Sequence, residues 1–364
     1  MKLNTSQQAF FTLMKAGLWE KEALLSEFKS VDYSKVLQLA DEQSVPGIVS
    51  AGIEHITDVK LPQNIALQFA GESLQFEKRN KEMNVFIPWL TSMLQNAGIK
   101  ALLVKGQGVA RCYERPLWRA PGDVDLLLSE KGYEKAKTIL FPIAEKVEKE
   151  NIANMHQGMS IKGVEVELHG KMPFMLSERI HKEIEDVIEQ SLCSDNEIWQ
   201  VGDTNVLLPN ADNHVILVFT HFLHHFFIEG VGLRQVCDWC RLLWTYKDLL
   251  DLELLSSRLK KMKLMTEWKA FAALAVLYLG MPVDAMPFYK KKKYEKKALQ
   301  VLNRIMKSGN MGHNNDLSYR VRYKGVTYNI VSLWRRLKEF VSFVPIFPLD
   351  APKFFVRYVF SKTK

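Results

Sequence analysis

Two short stretches bring together side chains that suit metal-assisted chemistry. Asp123-Val124-Asp125 opens an apolar run, Leu126-Leu127-Leu128, and further along Val164-Glu165-Val166-Glu167-Leu168-His169 alternates polar with apolar. Side chains alternate faces along a strand, so Asp123 and Asp125 project from one side about 7 Å apart. By the same rule Glu165, Glu167 and His169 share one face of a second strand. Adjacent carboxylates repel each other unless a positive charge lies between them. A hard divalent cation such as Mg²⁺, which prefers oxygen ligands, meets that need. A third carboxylate from the second strand completes the set, and spacing alone admits Glu165 or Glu167.

The elements that must position these groups are legible around them. Ala101 to Val104 is a short apolar strand that stops at Lys105-Gly106-Gln107-Gly108, a strand-to-helix turn. Arg119 stands four residues before Asp123, placed to neutralise an anion or to clamp the loop onto the carboxylates. Arg111 and Arg115, four apart on the short helix after the turn, read as solvated. Ser129 caps a helix over Glu130 to Leu140, with Pro142 as its stop. Strands are expected at Glu145 to Lys149 and around Met155 to Ile161, and Gly163 turns the chain into the Glu165–His169 strand as a hairpin. A helical pattern runs from Ser177 to Gln190. Val201 to Leu208 reads as a hairpin arm ending at Pro209.

These pieces together resemble the nucleotidyltransferase fold of the polymerase-beta-like superfamily. They are closer still to one bacterial branch, the uncharacterised nucleotidyltransferase family. The likeness is carried by Lys105-Gly106, by Arg119 ahead of Gly122-Asp123-Val124-Asp125-Leu126-Leu127, by Glu167-Leu168-His169, and by Gly232-Leu233-Arg234 with Asp238 one helical turn later. It covers residues 98 to 245. The resemblance implies an α+β fold, a mixed sheet backed by helices and flanked by helical regions at both ends. It implies a metal-dependent enzyme that transfers a nucleoside monophosphate from an NTP, with ATP expected, to an unidentified acceptor by a two-metal mechanism. Asp123 and Asp125 would then hold both Mg²⁺ ions, and Glu167, favoured over Glu165 by the resemblance, would complete the acceptor-side metal within reach of the acceptor hydroxyl. Lys105, Gly106, Gln107, Arg119 and Arg234 would meet the nucleotide. The Gly106–Gly108 backbone would lie where helix-start N–H groups meet phosphate, with a plain tight turn as the other reading. His169 would orient Glu167 or contact substrate, and Asp238 would hold Arg234 toward the cleft as an i, i+4 pair. Gln107 departs from the superfamily's Gly-Ser or Gly-Gly, which removes a hydroxyl contact to phosphate. Two other readings share the fold: a catalytically inactive module that binds nucleotide or a partner, and phosphoryl transfer with the same metals.

His221, His224 and His225 with Cys237 and Cys240 offer zinc donors in principle. The C-x-x-C lies inside a helical pattern without a knuckle glycine, so His221 and His224 are instead expected to line a lid helix near the substrate.

The rest of the chain frames this core. With 364 residues, 47% hydrophobic and 25% charged, a folded protein of two or three domains is expected. Four irregularly spaced cysteines suit a reducing compartment, and the cytoplasm is the expected location. The start, MKLNTSQQAFFTLMK, lacks a signal-peptide pattern, and no window reaches 18 uninterrupted apolar residues, the length of a membrane span. Four parts are expected: a helical region 1–97, the core 98–208, a second helical region 209–310, and a basic aromatic tail 311–364. In the first, Pro62 to Asn96 reads as one long helix or two in succession, since Pro88 interrupts it. In the second, a helix starts at Asn210 or Asp212 and ends at Gly230, another spans Leu233 to Tyr246, and two more fill 252 to 280. The net charge is +8, concentrated at Lys290–Lys297, which reads as a solvated helix start or as contact with nucleic acid or anionic membrane. In the tail, Trp334, Leu337, Phe340, Val341, Phe343, Phe347, Phe354, Phe355, Tyr358 and Phe360 interleave with Arg335, Arg336, Lys338, Lys353 and Arg357. That pattern suits wrapping back over the helical region or peripheral membrane contact.

Overall fold

Alternation along two central strands, Val124–Leu128 and Val164–His169, sets the architecture, because one face of each is apolar and the other carries charged groups. The computed structural model describes residues 3–172, 177–315, 322, 324–349, 351–353 and 355–356. Four helices come first: α1 (Thr5–Trp19), α2 (Tyr33–Glu42), α3 (Pro46–Ile53) and α4 (Gln63–Asn96). Then follow β1 (Ala101–Leu103), α5 (Gln107–Ala110), β2 (Val124–Leu128), α6 (Glu130–Leu140), β3 (Lys146–Val147), β4 (His156–Ile161) and β5 (Val164–His169). After α7 (Glu178–Cys193) come the hairpin β6 (Glu197–Val201) and β7 (Thr204–Leu208). The remaining helices are α8 (Ala211–Ile228), α9 (Leu233–Tyr246), α10 (Leu252–Met262), α11 (Met265–Leu279), α12 (Lys291–Ser308) and α13 (Gly325–Phe343).

The strands form a seven-stranded sheet in the order β3-β4-β5-β2-β1-β7-β6. It is mixed, with β2 parallel to β5, β1 parallel to β7, and the other neighbours antiparallel. This is the α+β architecture, a mixed sheet flanked by helices, that the sequence implies. Val124, Leu126 and Leu128 of β2, with Val164, Val166 and Leu168 of β5, pack on Met83, Ile87 and Leu90 of α4 and Tyr133 and Ala136 of α6. The opposite face, with Asp123, Asp125, Glu167 and His169, is left to the helices that follow β7.

Several boundaries differ from the sequence expectation for identifiable reasons. α4 is one continuous helix with Pro88 inside it. Its buried residues run on both sides of the proline, Met83, Phe86 and Ile87 before it and Leu90 and Leu94 after it, and this packing offsets the roughly 3 kcal/mol a mid-helix proline costs. Pro62 is the residue before the first helical turn and not part of it. The Glu145–Lys149 strand shrinks to two residues. The hairpin arm at 204–208 pairs with a strand at 197–201 whose half-polar sequence gave it no apolar run.

Beyond the sheet, the first and last helices share one core. Trp19 Nε1 donates to the Leu279 carbonyl at 2.7 Å and its ring meets Trp244 at 5.7 Å. Phe219, Phe222 and Phe226 of α8 pack against Trp239, Trp268 and Phe271. The basic block is the start of α12, with Lys292, Lys293 and Lys296 exposed and Tyr294 and Ala298 turned inward. α13 folds back onto the same helices. Phe343 and Phe347 stand 5.1–6.0 Å from the rings of Phe226 and Phe227, and Arg336 donates to the Ile228 carbonyl. The outer side of α13 exposes Ile330, Leu333, Trp334 and Val341. Phe354, Arg357, Tyr358 and Phe360 of the tail pattern lie outside the described residues. No helix among the described residues is long and apolar enough to cross a membrane.

Burial of titratable groups between sheet and helices has a measurable consequence. His214, on the first turns of α8, is fully buried and hydrogen-bonded through Nε2 to the Val104 carbonyl at 3.0 Å. Burial pushes its imidazole down to about 4, against about 6.5 in an unfolded chain. Between those values the unfolded chain binds a proton that the folded chain does not, so stability falls as pH drops through that window. We expect wild type to lose roughly 2–3 kcal/mol more between pH 7 and 4.5 than His214→Gln, read from urea midpoints. Parallel pH profiles for the two proteins would overturn this.

Candidate metal and anion site

Parallel pairing of β2 with β5 builds the centre of the site. The register sets Asp125 directly opposite Glu167, and Leu127 opposite His169. Asp123, one residue ahead of β2, falls on the same side. One carboxylate oxygen from each of Asp123, Asp125 and Glu167 lies within 4.8 Å of the other two. Glu165 is exposed and pairs with Ser160 on β4, away from this group. The geometry therefore brings Glu167, and not Glu165, to the aspartates.

Lys105 turns into the cluster. Its ammonium lies 2.6 Å from Asp125 Oδ1 and 2.9 Å from His221 Nε2 on α8. His169 Nε2 approaches the same Asp125 oxygen at 2.9 Å, while Asp125 Oδ2 is buried without a hydrogen-bond partner. Gly106 makes this turn feasible: with φ 57°, it brings a position where a Cβ would meet the Asp123 carbonyl oxygen at 2.9 Å. Gln107 turns the other way. Its side chain is buried and donates to Asn80 on α4 at 2.9 Å, so it packs the turn against that helix and does not line the cleft.

The charges shift one another. The Asp125 carboxylate, with burial in the same sense, holds the Asp123 carboxyl above its ordinary value. Burial pushes Asp125 and Glu167 upward as well, but Lys105 and His169 outweigh it for Asp125, and the neighbouring His156 and His169 imidazoles outweigh it for Glu167. Both stay below the usual carboxylate range. Lys105 and His169 are raised against burial by the same carboxylates. Burial, and then the nearby Lys105 charge, hold His221 well below its ordinary value, so it is neutral and accepts from Lys105.

The loop entering β2 is braced by two guanidinium groups. Arg119 is buried and bidentate to Asp238, Nε to Oδ1 at 2.7 Å and Nη2 to Oδ2 at 2.8 Å, and Tyr113 donates to the same carboxylate at 2.7 Å. Arg234 does not pair with Asp238 as its helical spacing suggests. Its Nη1 donates to the carbonyls of Ala120 and Pro121, both at 3.1 Å, and its buried Nε has no hydrogen-bond partner. Arg119 is thus the clamp, and both guanidinium groups border the cleft. Arg111 and Arg115 are half-buried and paired. Arg111 bonds Glu197 and Tyr246, and Arg115, beyond the end of α5, pairs with Glu20 and Glu54. His221 and His225, not His224, line the cleft. Cys237 and Cys240 are buried in the core and join no metal-competent group among the described residues.

These groups surround a cleft of about 190 Å³, with Lys105, Arg119, Asp123, Glu167, His221 and Arg234 on its walls. The sequence missed His156, half-buried on β4 and 3.3 Å from Glu167. Hairpin arithmetic contains the signal: a two-residue turn at Lys162-Gly163 sets His156 opposite His169.

Removing one member of a buried ion pair strands the other. Asp238→Ala is expected to lose about 3–5 kcal/mol in urea unfolding, and Arg234→Met, which strands no carboxylate, clearly less. Equal losses would show that the Arg119–Asp238 pair is not the brace.

No curated protein and no solved structure matches the chain. The family model described as "Uncharacterised nucleotidyltransferase" matches residues 29–280. That match takes in α2 through α11, so it covers the glycine turn, both carboxylate strands, the Arg119 brace and the helices that close the cleft. On this extent of agreement, the chain belongs to the uncharacterised nucleotidyltransferase family.

Proposed function

We propose that the chain transfers a nucleoside monophosphate from a nucleoside triphosphate, with ATP the first to test, to an acceptor, on a core of the polymerase-beta-like superfamily. The observation that carries this reading is the placement of Asp125 opposite Glu167 with Asp123 beside them, at the wall of a cleft shared with Lys105 and Arg234. The donor set fits two Mg²⁺ ions: three carboxylates converge, and buried Asp125 Oδ2 lacks any partner. When bound, such ions would offset negative charge on the phosphate oxygens.

The remaining roles fall to this chain's own groups. Arg234, with a buried and unpaired Nε, presents N–H groups to an anion entering the cleft. Arg119 and Asp238 keep the loop before Asp123 in place at the border of the same cleft. Gly106 lets the chain pass close beneath Asp123. Glu167 serves as a charged ligand: the His156 and His169 imidazoles beside it keep its carboxyl well below the ordinary range, which makes it a weak base. Residues 98–208 would supply the transferring core, and 209–310 the helices that cover it.

Two observations favour a second reading, a nucleotide-binding module without transfer. The Lys105 ammonium already neutralises Asp125 at 2.6 Å, and the side chain of Gln107 is committed to α4. Incubating the full chain with each Mg²⁺-NTP, and following pyrophosphate release and transfer of an α-phosphate label, separates the two. Transfer is expected, and Asp123→Asn should reduce it by about two orders of magnitude or more. The same variant should match or exceed wild type in thermal stability, since it removes repulsion from Asp125, whereas Asp125→Asn, which strands Lys105, should melt lower. Nucleotide binding without pyrophosphate release from any NTP would establish the module.

A further inference from the structure

The β4–β5 hairpin assembles a second donor set beside the carboxylates. Its turn at Lys162 and Gly163, both with positive φ, fixes a register in which His156 faces His169. The two imidazoles lie with centroids 5.0 Å apart and planes inclined by 48°. Both aim the same nitrogen at one carboxylate oxygen: His156 Nε2 is 3.3 Å and His169 Nε2 is 3.4 Å from Glu167 Oε2. One ligand atom from each of the three residues falls within a 4.8 Å span.

We propose that His156, His169 and Glu167 form a binding site for a borderline divalent transition metal, of the Zn²⁺ or Co²⁺ class, that shares Glu167 with the oxygen-only cluster of Asp123 and Asp125.

Distance supports this over a simple ion-paired histidine. A charge-assisted hydrogen bond between imidazole and carboxylate closes to about 2.7–2.9 Å, as His169 does with Asp125. The contacts to Glu167 are longer, and binding the ion requires His169 Nε2 to give up to solvent the proton it shares with Asp125 at 2.9 Å. Donors at about 2.0–2.1 Å from a tetrahedral ion stand about 3.3–3.4 Å from one another, which is the separation found at both edges. Donor chemistry supports it too. Two imidazoles and a carboxylate suit Zn²⁺ and Co²⁺, whereas Mg²⁺ favours oxygen and resists dehydration. Neighbouring positions on either side of Glu167 would therefore select different ions. Access is available, because His156 is 29% and Glu167 32% exposed while His169 is buried. The site does not depend on nucleotide transfer, since it is defined by donors and not by substrate.

The test uses the full chain, freed of metal, with Co²⁺ and Zn²⁺ as probes in the presence of excess Mg²⁺. Wild type is expected to take up one Co²⁺ with the strong visible absorption of a low-coordinate nitrogen-containing site, and one Zn²⁺ that excess Mg²⁺ does not displace. His156→Ala should lose the absorption and bind Zn²⁺ about tenfold more weakly or worse. His156→Cys, which keeps a borderline donor, should restore Zn²⁺ uptake, and Asp123→Asn should leave it intact. Circular dichroism confirms that each variant is folded; His156, on the hairpin surface, tolerates replacement. Co²⁺ and Zn²⁺ uptake in His156→Ala equal to that of wild type would overturn the site, as would no uptake by wild type. Pyrophosphate release without Zn²⁺ uptake would sink this site alone, and Zn²⁺ uptake without pyrophosphate release would leave it standing while removing the transfer reading.

Discussion

Carboxylates whose oxygens crowd within 4.8 Å repel one another, and a low-dielectric interior does little to screen that repulsion. The structure tolerates the crowding because Lys105 enters from one side of Asp125 and His169 from the other. Neighbouring elements can be understood as conditions for that arrangement. Gly106 must lack a side chain so that the end of β1 can pass beneath Asp123. α8 must offer an uncharged acceptor to the lysine, and burial keeps His221 in that state. β5 must run parallel to β2, because only the register it adopts sets Glu167 across from Asp125.

A second layer of charge holds the first in position without touching it. Arg119, Asp238 and Tyr113 form a closed group in which the carboxylate oxygens and the guanidinium N–H groups are largely used. Asn80 on α4 ties the same loop by donating to the carbonyls of Leu117 and Arg119. A group satisfied in this way is rigid, which suits a support. Arg234 is the contrasting case, anchored by one nitrogen and open at another.

Much of this was readable from the chain, and what was missed has physical causes. Period-two alternation placed Asp123, Asp125, Glu167 and His169 on their faces, because a one-residue slip would bury the charges among Val124, Leu126 and Val166. The same alternation could not choose between Glu165 and Glu167, since that choice depends on which strand lies beside β5. Helical spacing suggested Arg234 with Asp238, yet Asp238 is claimed by Arg119 from 119 residues away, a contact that no local pattern reports. His225 replaces His224 at the cleft because the direction α8 faces is set by its packing on α9 and α11, not by its own sequence. β6 escaped notice because only its partner strand carries the apolar run.

The aromatic layer beneath α8 also bears on how the protein is made. Phe226 and Phe227 are covered by Phe343 and Phe347, which leave the ribosome long after α8 does. Until then a strongly apolar helix bearing His221 and His225 waits with part of its surface uncovered, in the interval when a nascent chain is most exposed to aggregation. The helix that carries two of the cleft histidines is thus covered by aromatic side chains from a segment made much later than itself.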